Sequence, residues 1–167
     1  MSKHFIRAGT VLRNSSLYHI DQNNKHTDIK VHDIFKDKLV AAFSGPAPFS
    51  RLDTELAKLY VNFFNPIIEQ GVDEIVAIYY QDAFVCKKFE DEISDSKNRI
   101  KIYADGDGFF ARDHEINFDF TYSGLSMRNW RWCGIIDDLE VVYAKFDDYN
   151  IIEGTHPEIM LEWIRSQ

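Results

Sequence analysis

The chain has 167 residues, 45% hydrophobic and 14% aromatic, enough for one packed domain over residues 1–167. Its net charge of −8 and pI near 5.2 argue against the clustered Lys and Arg that a nucleic-acid footprint or a polybasic membrane patch requires. No apolar run approaches the ~20 residues of a membrane span, and "MSKHFIRAGT" has no apolar signal core, so a cytoplasmic protein without nucleic-acid or membrane partners is expected.

In chain order, residues 15–21 and 27–35 read as a β-hairpin joined by the turn-rich "QNNK", and residues 38–43, "KLVAAF", as a buried strand. Leu56, Leu59, Tyr60, Phe63, Phe64, Ile67 and Ile68 recur at helical spacing, which predicts one helix over residues 53–70 closed by Gly71. "VDEIVAIYY" (72–80) is a second buried strand, and Asp82 opens a helix that runs to Ile93. "RIKIYAD" (99–105) is a third buried strand, followed by a short helix over 108–116. Residues 126–137 and 139–147 form a hairpin turned at Asp137 and Asp138, and residues 155–164 a closing helix with Thr155 as N-cap and Pro157 in its first turn. A βαβα opening, then an antiparallel hairpin and a final helix, gives an α/β, thioredoxin-like fold: a central mixed β-sheet with helices on both faces and an N-terminal β-hairpin.

The chemistry should sit in "SGPAPFSRLDTEL" (44–56), where a strand gives way to a helix. This loop holds neither Cys nor His. "SRLD" is a capping-box pattern and "DTEL" supplies acid to a first turn, both ordinary helix-starting chemistry. The two cysteines, Cys86 and Cys133, are expected to be free thiols, and the six histidines show no metal-ligand spacing, so neither metal nor cofactor follows. "DGDGFFARDHEI" opens like a calcium loop, but Phe109, Phe110 and Ile116 stand at its fifth, sixth and twelfth positions, where ligation or the turn needs other residues. Acidic stretches such as "EDEISD" (90–95) and "FDD" (146–148) read as solvated faces.

Several blocks, taken in order, carry a resemblance. "GVDEIVAIYYQDAFVCKKF" (71–89), "KIYADGDGFFAR" (101–112), "GLSMRNWRWCGIIDDLEV" (124–141) and "HPEIMLEWI" (156–164) resemble the type II/type V peroxiredoxins, thiol peroxidases on a thioredoxin fold. The likeness runs from about residue 6 to residue 164. In that family the loop after the first core strand carries Pro-x-x-x-Thr-x-x-Cys, and an Arg from a later strand completes the pocket. Carried over, Pro46 matches the proline and Ser50 takes the threonine position, while Asp53 falls where the peroxidatic cysteine belongs. Arg131 matches the arginine and Arg128 a common second one, and the resolving cysteine would fall at Ala77. The resemblance also implies a homodimer paired through the loops around the site.

A thiol peroxidase needs a thiolate that becomes a sulfenic acid, and neither a carboxylate at position 53 nor the hydroxyls of Ser50 and Thr54 can do this. A helix N-terminus and an Arg favour any anion, so Asp53 is expected to pair with Arg131 and close the pocket. On this reading the protein is a degenerate family member acting as a binding or structural dimer, with a small anion near Arg128 and Arg131. The alternative is a thiol-dependent peroxidase using Cys133 or Cys86 with an external thiol reductant. Cys133 shares a strand face with Arg131 at ~7 Å, but its apolar run "WCGII" is the setting of an inert thiol. Cys86 has Lys87 and Lys88 beside it, although adjacent helical positions do not face each other.

Overall fold

The computed structural model describes residues 6–95 and 97–167; His4, one of the six histidines, lies outside them. Nine strands and six α-helices follow in chain order: β1 (Ser16–Ile20), β2 (His26–Lys30), α1 (Val31–Phe35), β3 (Leu39–Ser44), α2 (Arg51–Asn62), α3 (Phe64–Ile68), β4 (Glu74–Tyr79), α4 (Ala83–Ile93), β5 (Lys101–Ala104), α5 (Phe109–Asp113), β6 (Asn117–Asp119), β7 (Met127–Asn129), β8 (Arg131–Asp137), β9 (Glu140–Asp147) and α6 (Pro157–Arg165). Seven strands make one mixed sheet in the order β2-β1-β5-β4-β3-β8-β9, parallel only where β3, β4 and β5 meet. This is the thioredoxin-like, mixed α/β arrangement expected from the element order.

The period-two alternation of the central strands divides the core between two faces. Ala41, Phe43, Ile75, Ala77, Cys133 and Ile135 point toward α2, α4 and α6; Val40, Ala42, Val76, Ile78, Trp132 and Ile136 point toward α1 and α5. Both faces are covered by helices, so the central strands are apolar on both sides.

Several boundaries differ from the sequence reading. The second hairpin strand ends at Lys30, and Val31, Ile34 and Phe35 turn into α1, because a helical turn buries all three on one side. The long helix is interrupted at Phe63, since Pro66 has no N–H to give Asn62 and its ring would meet that carbonyl. The strand expected over 126–137 breaks at Trp130: β7 leaves the main sheet to pair with the short β6, which the reading lacked, and β8 begins at Arg131. The β8–β9 turn is centred on Asp138 and Leu139, both with positive φ, because Asp137 already pairs with Glu140. α6 is capped by His156, whose Nδ1 accepts the Glu158 N–H, while Thr155 is buried and engaged elsewhere. Two acidic stretches are not wholly solvated either: Glu90 and Asp147 are buried. Glu90 accepts from His19, from Arg99 and from the Ile102 N–H, tying α4 to β1 and β5.

Candidate functional site

β3 ends at Ser44 in the middle of the sheet, next to the start of β8, where Ser44 lies opposite Trp132. The loop that follows therefore delivers the first turn of α2 against Arg131. Phe49 takes a positive φ of 71°, costly for a bulky residue, and its ring rests on Phe89 of α4 at 5.1 Å. Ser50 caps the helix, its hydroxyl accepting the Asp53 N–H at 3.3 Å. In the usual capping box the third residue reaches back to the cap's own N–H. Here Asp53 Oδ2 instead accepts from the Ser50 hydroxyl at 3.0 Å and the Ala47 N–H at 2.8 Å.

Asp53 is fully buried, and its other oxygen, Oδ1, accepts from Arg131 Nε at 3.3 Å and Nη2 at 3.1 Å. Arg131 is 1% exposed, and its Nη1 donates to the carbonyls of Asp148, Tyr149 and Ile151. Burial raises the Asp53 carboxyl above its ordinary value, while the Arg131 charge, the Ala47 N–H and the Ser50 hydroxyl pull it back down. The Ala47 N–H and the two Arg131 nitrogens can only donate and the Ser50 hydroxyl is placed to donate as well, so the set of partners suits the carboxylate.

Two further residues build this pair, and the sequence reading missed both. A Cβ on Gly45 would lie 1.8 Å from Asp53 Oδ1, so glycine is what lets the carboxylate in. Asp147 at the end of β9 accepts from the N–H groups of Glu153, Gly154 and Thr155 and from the Thr155 hydroxyl. It thereby holds the loop whose carbonyls meet Arg131. A lone "FDD" gives no hint of this role; the signal that points to it is the turn-rich "EGT" a few residues on.

The other sequence-derived residues lie at graded distances from this pair. Arg128 is half-buried and donates to the Leu125 carbonyl at 2.8 Å and the Pro46 carbonyl at 3.2 Å, bracing the loop. All three Arg131 nitrogens are engaged within the protein, which counts against Arg131 as a seat for an added anion. Ala77 is buried in β4 between Phe43 and Ile102. Cys133 faces the α2 side of the sheet, as Arg131 does, but is fully buried, its thiol 4.0 Å from the Gly154 carbonyl. Burial pushes the Cys133 thiol up to about 12. Cys86 is buried on α4, and burial with the nearby Asp82 and Glu90 carboxylates pushes its thiol well up. Above the pair is an open depression of about 310 Å³, walled by Pro46, Leu52, Phe120, Leu125 and Tyr149. Among the described residues no group of three His, Cys, Asp or Glu is placed to hold a metal ion. Asp105 and its loop cap α5 instead, the carboxylate accepting the Phe110 and Ala111 N–H groups.

No protein-family model matches the chain. Among curated proteins it is 25% identical to peroxiredoxin-2D of Arabidopsis thaliana over 144 residues, 86% of this chain and 88% of that one. A peroxiredoxin of Synechocystis sp. is 30% identical over 112 residues, 66% of this chain and 58% of that one. Reduced Prx3 of Vibrio vulnificus in complex with H2O2 superposes with a TM-score of 0.87 at 25% identity, over 96% of this chain and 97% of that one. In sequence and in fold the chain is similar to the peroxiredoxins. Peroxiredoxin 5 of Alvinella pompejana shares the fold, with a TM-score of 0.84 at 20% identity over 97% of this chain and 99% of that one. This chain presents a buried carboxylate and guanidinium beside its depression, with both of its thiols elsewhere in the core.

Proposed function

We propose that this peroxiredoxin-family protein, of the type II/type V kind, does not reduce peroxides at the usual site and acts as a binding or structural homodimer. The observation that carries the reading is the Asp53–Arg131 pair itself. A carboxylate receives the charge-stabilising donors that a reactive thiolate would need, namely the α2 N-terminus, the Ala47 N–H and the guanidinium. Carbon at the carboxylate oxidation level gives no nucleophile able to break a peroxide O–O bond and form a sulfenic acid. Cys133 and Cys86 do not substitute for it, since burial holds both as thiols at neutral pH. Exposed Phe49, Tyr122, Tyr149 and Ile151 around the depression support self-association through this face. No helix among the described residues is long and apolar enough to cross a membrane, and the proposed compartment is the cytoplasm.

The test is peroxide consumption with a dithiol reductant, comparing the wild type with Cys133→Ser, Cys86→Ser and Asp53→Cys. Wild type and both serine variants should show no turnover above buffer, and Asp53→Cys should gain a thiol that alkylates rapidly at pH 7. Wild-type turnover that disappears in either serine variant would overturn the proposal in favour of a peroxidase working through that cysteine.

A further inference from the structure

The segment from Ile6 to Asn14 precedes the sheet and runs along the outer edge of β9. Gly9 N–H donates to the Val141 carbonyl, Val141 N–H to the Thr10 carbonyl and Leu12 N–H to the Leu139 carbonyl, each at 2.8 Å. Ile6 and Leu12 are buried with the α1 and α5 side of the core. This strap covers backbone groups that an edge strand would otherwise present.

Two histidines hold its far end with opposite polarity. His32 Nε2 lies 3.0 Å from the Leu12 carbonyl, which can only accept, so this nitrogen carries a proton whether the ring is neutral or charged. His114 differs. Its Nδ1 lies 2.8 Å from the Phe110 carbonyl and must donate, while its Nε2 accepts the Arg13 backbone N–H at 3.0 Å. The bonds therefore require the neutral ring with its proton on Nδ1. A second proton on Nε2 would face the Arg13 N–H donor to donor, and the bond would be lost.

We propose that His114 is a proton-operated latch on the N-terminal strap: neutral, it holds Arg13; protonated, it lets the strap leave the edge of β9. The ring is 4% exposed and packs tilted against Phe110, with ring centroids 4.3 Å apart, so the second proton would also place a charge in an apolar setting. The charged and titratable groups that act on it are Arg13 on the strap and Asp113 on α5, with His32 of α1 one residue along at Leu12. Burial holds His114 below the ordinary histidine value, partly offset by the Phe110 carbonyl and Asp113. A group of depressed basicity destabilises its bound arrangement as pH falls through its unfolded value toward the folded one.

Amide hydrogen exchange between pH 7.5 and 5.0, corrected for the intrinsic rate, tests the latch, with the His114 ring followed by ¹⁵N NMR in the same samples. At pH 7.5 the ring should be the Nδ1–H tautomer. On acidification the Gly9, Leu12, Arg13 and Val141 amides should open about tenfold more for each unit by which folding lowers the ring's pKa, with β3 and β4 amides unchanged. His114→Gln should flatten this dependence and His32→Gln should keep it. An Nε2–H tautomer, an Arg13 amide indifferent to ring titration, or the same acid opening in His114→Gln would each overturn the proposal. The wild-type ring and amide data decide it even if a variant does not fold.

Discussion

At the scale of single residues, the site depends on two buried charges that neutralise each other. Asp53 and Arg131 are both buried, and removing either leaves the other without its counter-charge. Asp53→Ala should therefore destabilise the protein by about 3–5 kcal/mol, measured by urea unfolding. Adding Arg131→Met to that variant should recover part of the loss, because the double change leaves no buried charge unpaired. Gly45→Ala tests the space itself. Its Cβ would overlap Asp53 Oδ1, so either α2 shifts or the pair opens, and stability should fall by at least about 1–3 kcal/mol. The same change next to an Asp53→Ala background should cost far less, since the blocking carboxylate is gone. A Gly45→Ala cost that persists in that background would show that backbone conformation, not space for the carboxylate, demands the glycine.

At the scale of elements, the end of β9 and the loop after it form a second support for Arg131. Asp147 collects three backbone N–H groups and the Thr155 hydroxyl, and these bonds hold its carboxyl below the ordinary value despite the desolvation that opposes them. A depressed carboxyl gives stability that is present above its unfolded value of about 4 and lost as pH falls through the lower folded value. Asp147→Asn should remove this acid-sensitive component, lowering stability at pH 7 but narrowing the gap between pH 7 and pH 3. Asp105 has the opposite sign. Burial raises its carboxyl to about 6, so its contribution is present below the unfolded value and falls as pH rises through about 6. Scanning stability against pH in Asp105→Asn and Asp147→Asn separates the two contributions. The break between α2 and α3 at Phe63 belongs to this scale as well, and its cause, Pro66, stands in the sequence. Helical periodicity continued across it because Phe63, Phe64 and Ile67 keep one side apolar whether or not the helix is continuous.

At the scale of the whole molecule, the exposed aromatic face around the depression makes the oligomeric state measurable. Light scattering coupled to size exclusion should give twice the 19.5 kDa chain mass, and Tyr149→Asp with Phe49→Asp should shift the protein toward the monomer without loss of helix content. A wild-type mass of one chain at micromolar concentration would remove the dimer from the proposed function. The fold itself was legible in the sequence: the apolar runs of β3, β4 and β5, the Asp82 cap and the 3.6-residue pattern of α2 are local signals, and local chemistry decides them. So was the juxtaposition of Asp53 and Arg131, through the spacing of Pro46, Ser50 and Asp53 and the blocks around Arg131. Other features depend on contacts between residues far apart in the chain. That Glu90 and Asp147 are buried, that the Cys133 thiol is fully buried against the Gly154 carbonyl, and that His114 meets Arg13 across 101 positions are consequences of packing. The sequence by itself determined which residue types could do chemistry and ruled the loop's own thiol out. Only the tertiary structure decided which charges are desolvated and paired, because burial and partner geometry, not residue identity, set those energies.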